Sequence, residues 1–392
     1  MNLNNCFNID DLRGRAQQRL PRQVFDFLEG GADDEWSTQR NRRAFDDYPL
    51  STRTLVDVAG VDTRSRLLGR AIEWPVIVAP TGASQLFHHT AEPAVARAAA
   101  AAGTWYALST MSNTSLEDVA ATSDGPRMLQ VYVFRDRGRV ESLVERCRAA
   151  GYEALCLTVD TPISGNRERD RANGMSIPPR WTLRNVLRFA ARPAWSVNAL
   201  LRCDYELANF KDIGAGGPAD RGLAMDYVNR QFDPSVTWAD AEWLARLWDG
   251  PFVVKGILAP DDARRAAAIG ATAVWISNHG GRQLDGVAAT VDCIPGIRQA
   301  VGDRVEVVVD GGIRRGTHVL KALALGADAC ALGRPCLYGL AAAGQGGVEH
   351  ALKLLGDELR RAMALAGCPD LGAVGPWLLH GRETGQAGGP AH

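Results

Sequence analysis

The chain has 392 residues, 46% of them hydrophobic, enough to bury one large core or two ordinary ones. Its formal net charge is −1, so no global basic field argues for nucleic acid. Eight cysteines, at 6, 147, 156, 203, 293, 330, 336 and 368, include no CxxC pair and fit reduced cytosolic thiols better than a disulfide framework or a zinc site.

Short apolar runs recur along the chain, and helical patterns separate them. The predicted strands are Pro75–Pro80, Trp105–Thr110, Met128–Val133 and Ala154–Asp160, then Phe252–Gly256, Ala273–Asn278, Val305–Gly312 and Ala329–Arg334. Ala-rich or amphipathic stretches such as Ala91–Ala102, Val140–Ala150, Asp261–Ile269 and Thr317–Leu325 lie between them. Eight strands alternating with helices over roughly 260 residues predict an α/β chain, a (β/α)8 TIM barrel spanning about 75–367. An open doubly wound sheet is the alternative, but no GxGxxG turn follows the first strand.

The rhythm breaks once. Residues 161–237 form a 77-residue interval between strands four and five, too long for an ordinary loop. Within it, Arg180–Lys211 carries Arg184, Arg188 and Arg192 four apart, with Leu183, Val186, Leu187 and Ala190 toward the other side. Such a basic amphipathic segment suits a solvated lid packed on the barrel or a membrane surface equally well. No run of 18 apolar residues spans a bilayer, and Met1 to Asp11 lacks the pattern of a secretory signal.

The most informative stretch is Ser277-Asn278-His279-Gly280-Gly281-Arg282-Gln283-Leu284-Asp285-Gly286, at the end of strand six. It joins a proton acceptor, room for close approach and a fixed cation. A lone histidine is usually a satisfied core residue; here Arg282 and two glycines favour a catalytic base. Asp160, ending strand four, reads alone as a helix cap or loop carboxylate; paired with His279 it would orient the ring. Lys255 interrupts an apolar run, so a partner is implied. That partner is a cofactor gaining negative charge or a carbonyl substrate forming a Schiff base, with a buried ion pair as the weaker structural alternative. Asp310-Gly311-Gly312-Ile313-Arg314 and Gly333-Arg334 follow strands seven and eight, the usual phosphate position in barrels. The pair His88-His89 reads as loop surface.

These strand-end residues, in this order and spacing, resemble the FMN-dependent L-2-hydroxy-acid oxidase and dehydrogenase family. Leu20–Ala32 is similar to the family's N-terminal helix, within a helical segment at 8–45. The resemblance implies that one barrel spans 1–392 and oxidises a 2-hydroxy acid. It implies His279 as base, Asp160 as its support, Arg282 and Arg167 on the substrate carboxylate and Tyr132 on the substrate oxygen. It implies further that Pro80, Thr81, Gly82, Ser109, Gln130, Thr158, Lys255 and Ser277 meet the flavin ring and ribityl chain of FMN. Asp310, Gly311, Gly312, Arg314, Gly333 and Arg334 would hold the ribityl chain and phosphate, with no metal.

Gly165–Asp170 is closest to mandelate dehydrogenases, and Asp233–Trp238 to bacterial lactate dehydrogenases. Both kinds are membrane-seated respiratory enzymes. The expectation is therefore a mandelate-like aryl acid first and lactate second, with a quinone as electron acceptor. A homotetramer is expected, cytoplasmic or peripheral on the inner face of the cell membrane, with 180–211 as the contact. Phe27 stands where many members have a tyrosine, which removes a carboxylate contact. Gly82 replaces the oxidases' alanine and Met111 a tryptophan, both expected to open the pocket. An oxygen-using oxidase is the near alternative. A Lys255 Schiff-base aldolase leaves His279 and Arg282 unexplained, and a phosphate-binding module needs no base.

Overall fold

The computed structural model describes residues 3–175, 189–213 and 231–380. The eight strands are β1 (Val76–Val78), β2 (Tyr106–Ser109), β3 (Arg127–Val131), β4 (Ala154–Thr158), β5 (Phe252–Ile257), β6 (Ala273–Ile276), β7 (Glu306–Val309) and β8 (Ala329–Leu332). All pair in parallel, and β8 bonds both β7 and β1, so the sheet closes into a barrel. Every expected strand is present. Most predicted runs extend one to three residues past the observed strand end, and those extra residues are the loops that carry chemistry.

Alternation sorts the strand side chains into two layers. Inward residues, among them Ile77, Trp105, Met128, Cys156, Val253, Trp275 and Val308, fill the barrel. Outward ones such as Val78, Leu108, Leu129 and Val254 pack on the helices. A hairpin of two three-residue strands, Ser65–Leu67 and Arg70–Ile72, closes the N-terminal end with Leu67, Leu68 and Ile72. Trp105 Nε1 donates to the Leu67 carbonyl (3.2 Å), and the Leu68 N–H donates to Glu306 Oε2 (2.8 Å). These short strands carry too little periodicity to be read from sequence.

Of the three N-terminal helices, α1 (Ile9–Arg19) packs along the helix Arg334–Ala366, while α2 (Arg22–Glu29) and α3 (Trp36–Arg43) meet the loops at the other end. Asp285 accepts the Trp36 and Ser37 N–H groups (3.1 and 2.7 Å), supplying the start of α3 with an anion. Asn41 and Asn278 exchange two amide hydrogen bonds of 2.8 Å, tying α3 to the loop after β6.

Within the long interval, Arg180, Trp181, Arg184 and Arg188 lie outside the described residues. Phe189 and Trp195 are buried against each other, and Trp195 Nε1 donates to the Leu86 carbonyl (2.8 Å). The helix Pro193–Leu201 leaves Val197, Leu200 and Leu201 exposed. His88 and His89 are not loop surface: both are partly buried, stacked with centroids 4.4 Å apart, and His89 meets Arg202 at 3.1 Å. Burial, His89 and nearby arginines push His88 down to about 4. No helix among the described residues is long and apolar enough to cross a membrane.

Candidate active site

The strand C-terminal ends surround a cavity of about 320 Å³. It is lined by Phe27, Pro80, Thr81, Gly82, Ser109, Met111, Gln130, Tyr132, Thr158, Arg167, Lys255, His279 and Arg282. Asp310, Gly311, Gly312, Arg314, Gly333 and Arg334 line it too. The two remaining expected residues stand directly behind this wall, Asp160 against His279 and Ser277 between Lys255 and Asp310.

His279 adopts φ +56°, in the left-handed region that a non-glycine residue enters at a cost of order 1–3 kcal/mol. Gly281, two residues on at φ +75°, lies so near α3 that a Cβ would sit 2.5 Å from the Thr38 nitrogen. The turn therefore needs its glycine, and its packing fixes the imidazole. His279 Nδ1 is 2.9 Å from Asp160 Oδ1. Burial opposes ionisation of Asp160, yet the His279 ring and Lys255 hold its carboxyl below the ordinary value. An ionised carboxylate only accepts, so Nδ1 carries the proton and Nε2 is left as the basic nitrogen.

Lys255 is 4% exposed and its ammonium donates to Ser277 Oγ (2.9 Å), with Asp310 Oδ2 at 3.5 Å. The buried ion pair that ranked as the weaker reading of Lys255 is thus present. Asp310 is also committed, accepting from Ser277 Oγ and from Trp275 Nε1 (3.0 Å). Despite burial, Asp310 and Asp160 raise the Lys255 pKa, so the ammonium stays charged in the cavity wall.

At the opposite end, Arg282 Nη1 donates to the carbonyls of Phe27 and Gly30, both at 2.8 Å. Burial, then repulsion from Arg167 and Arg334, lowers the Arg282 pKa, against the opposing pull of Asp170 and Glu35. The Phe27 ring flanks both guanidiniums, with Arg282 Cζ 5.1 Å and Arg167 Cζ 5.4 Å from its centroid. It offers them its π-face where a tyrosine would offer a hydroxyl.

Two expectations need correction. Gly82 leaves no spare room, because a Cβ there would meet Met111 Cβ at 2.9 Å and the Met111 carbonyl at 3.0 Å. The Arg334 side chain is not free for a phosphate: its guanidinium donates to the carbonyls of Leu28, Glu29, Gly30 and Gly280 at 2.9–3.2 Å. What Arg334 offers an anion is its position at the start of the helix Arg334–Ala366.

Gln283 escaped the sequence reading. Its Nε2 donates to the carbonyls of Asp160 (2.9 Å) and Ile163 (3.0 Å), while Oε1 accepts from the Gly165 N–H (3.1 Å). One side chain thus joins the loops after β4 and β6. It lies inside the ten-residue motif, so the signal was there. Phe232, Thr161 and Ser164 also line the cavity from the long interval, where no pattern marked them.

The residues present fit FMN. Gln130 Nε2 is buried without a partner, an amide donor awaiting an acceptor. Lys255 presents a buried cation. Gly311 (φ +98°) and Gly312 (φ +76°) take left-handed backbone beside the helix start, and a Cβ on Gly312 would lie 1.9 Å from the Asn41 carbonyl.

Comparison with known proteins agrees. Residues 16–380 match the model of the FMN-dependent dehydrogenase family. The chain is 43% identical to an L-lactate oxidase of Nostoc sp. over 380 residues, covering 96% of this chain and 98% of that protein. It is 42% identical to glycolate oxidase 1 of Zea mays over 370 residues, covering 94% of each. A crystal structure of the monotopic membrane protein (S)-mandelate dehydrogenase superposes with a TM-score of 0.92 at 38% identity, covering 96% of this chain and all of that one. A cavity with a histidine–aspartate pair, a buried lysine and paired arginines, on a chain matched from end to end, leads to one conclusion: this protein belongs to the FMN-dependent dehydrogenases and oxidises a 2-hydroxy acid.

Proposed function

We propose that the protein oxidises an (S)-2-hydroxy acid with an aryl substituent, mandelate-like first and lactate-like second, to the 2-oxo acid. The observation that carries this reading is the placement of His279, backed by Asp160, in the same cavity as two guanidiniums flanked by a phenyl ring. A carboxylate suits the forked donors of Arg282 and Arg167, and Phe27 leaves the rest of that end apolar. Forming the carbonyl removes two protons and two electrons. His279 Nε2 takes one proton, and Asp160 stabilises the resulting imidazolium. The acceptor for both electrons and the second proton is the chemistry that bound FMN supplies. Tyr132 stays a neutral donor to the substrate oxygen, because burial raises its pKa.

The electrons pass to a quinone-type acceptor, and the long interval seats the protein on a membrane surface as a homotetramer. Support comes from the exposed Val197, Leu200 and Leu201 on one short helix, and from the monotopic relative. The test is anaerobic flavin bleaching with glycolate, lactate and (S)-mandelate, followed by reoxidation with a short-chain quinone or with oxygen. Mandelate should give the highest kcat/KM and the quinone the faster reoxidation. Preference for glycolate, or faster reoxidation by oxygen, overturns the corresponding half.

A further inference from the structure

The substrate end of the cavity has two apolar walls of different character. Met111 forms one, and its backbone and Cβ are fixed. Its carbonyl accepts from the Ala83 N–H (3.0 Å), its N–H donates to Ser109 Oγ (3.1 Å), and Gly82 lies against its Cβ. The other wall is Tyr132 with Phe232, edge to face, their centroids 5.0 Å apart. Behind them lies a second cavity of about 280 Å³, which shares Tyr132, Thr158, Thr161 and Phe232 with the first.

The Phe232 backbone is pinned. It forms an antiparallel bridge with Phe134, the neighbouring Gln231 carbonyl accepts from the Arg135 N–H (2.9 Å), and the Phe232 carbonyl accepts from Arg135 Nε (3.3 Å). Its ring is held only by edge-to-face packing on Tyr132 and Phe134 (centroids 5.0 and 5.9 Å), contacts that a guest can replace when the side chain turns. The lining of the second cavity is mixed: Val133, Pro162, Val236 and Ala241 give it an apolar side on which an aryl ring can pack, and Thr158, Thr161 and Thr237 give it a polar one. Asp233 and Asp262 are also in that lining and disfavour a second carboxylate. A void of roughly 150 Å³ is enough to hold benzene.

We propose that Phe232 is a rotatable partition, and that the second cavity is a subsite for the distal aryl group of an extended 2-hydroxy acid such as an arylalkyl acid. The proposal rests on the hydroxy-acid reading of the main cavity and names a wider substrate class for it. With Phe232 turned aside, the two spaces become one. The carboxylate then stays on Arg282 and Arg167 while the tail crosses between Tyr132 and Thr161.

The holoenzyme is assayed with lactate and with (S)-2-hydroxy-4-phenylbutanoate. Phe232→Ala should raise the phenylbutanoate-to-lactate ratio of kcat/KM at least tenfold. Ala241→Phe fills the second cavity from helix Trp238–Trp248, away from the catalytic groups, and should cancel that gain in the double variant. Val236→Phe serves the same purpose from a separate segment if Ala241→Phe fails to fold. An unchanged ratio in Phe232→Ala, or a gain that persists in the filled double variant, overturns the subsite. Calorimetric titration with 2-oxo-4-phenylbutanoate and pyruvate separates this from the broader reading. A selectively tightened phenyl acid in Phe232→Ala, reversed by filling, upholds the subsite even if no acid bleaches the flavin. Normal lactate turnover with unaltered phenyl-acid affinity removes it while sparing the oxidation.

Discussion

The two sides of the cavity are held in place by different forces. On the strand side, Asp160, His279, Lys255, Ser277 and Asp310 fix one another through a chain of polar contacts of 2.9–3.5 Å, with Lys255, Ser277 and Asp310 buried and Asp160 and His279 partly so. On the loop side, Phe27, Met111 and Phe232 are fixed by packing, and they come from a helix, a turn and the long interval. Polar geometry admits one arrangement and tolerates little change, because every lost partner leaves a buried group unsatisfied. Packed rings admit several arrangements at modest cost. On the proposed reading, chemistry belongs to the strand side and substrate choice to the loop side.

The largest expected effect tests the strand side. His279→Gln should slow flavin bleaching by about 10²–10⁴-fold or more, with the FMN absorbance retained, since the base acts on substrate alone. Bleaching within tenfold of the parent would remove His279 from that role. Next, Lys255→Met leaves Asp310 buried without its cation. Breaking such a pair costs about 3–5 kcal/mol, so denaturant unfolding should report a loss of that size together with weaker FMN retention. On the loop side the effect is smaller and selective. Phe27→Tyr adds a hydroxyl beside Arg282 and Arg167, and a hydrogen bond to a charged group contributes about 1.5–3 kcal/mol. Steady-state kinetics should show glycolate and lactate gaining about ten- to a hundredfold in kcat/KM, with mandelate gaining less.

The smallest effect lies in acid. The folded Asp160 carboxyl sits below its ordinary value of 3.8. Its contribution to stability is therefore complete above that value and is lost as pH falls through the lower folded pKa. Asp160→Asn should unfold with a shallower pH dependence below about pH 4 than the parent. Identical acid limbs in the two proteins would mean the carboxylate is not held by His279 and Lys255.

The same division decides what a reader of the sequence can see. Thr158, Lys255, Ser277 and Asp310 interrupt or end apolar runs, and a polar residue at a parallel-strand terminus stands out in a one-dimensional pattern. The barrel itself was legible for that reason, strand by strand. The Lys255–Asp310 pair was not, because 55 residues separate partners that only barrel closure brings together. Phe232 had no periodicity to mark it. Gly82 misled for a plain reason: an absent methyl reads as space until the neighbour filling that space, Met111, is known. Arg334 beside a glycine reads as a guanidinium awaiting a phosphate, and only the four carbonyls around its side chain show that the helix start, and not the guanidinium, is what it has to offer.

The hairpin that closes the barrel floor bears on the history open to this protein. Leu67, Leu68 and Ile72 seal that end through Trp105 and Glu306, on the side of the strands opposite the chemistry. Inheritance can act on floor and mouth independently. A lineage moving to hotter surroundings can tighten the floor without altering its diet, and one meeting a new carbon source can reshape the mouth without endangering the vessel. A scaffold divided in this way suits the range of proteins this chain resembles, among them an L-lactate oxidase, a glycolate oxidase and an (S)-mandelate dehydrogenase.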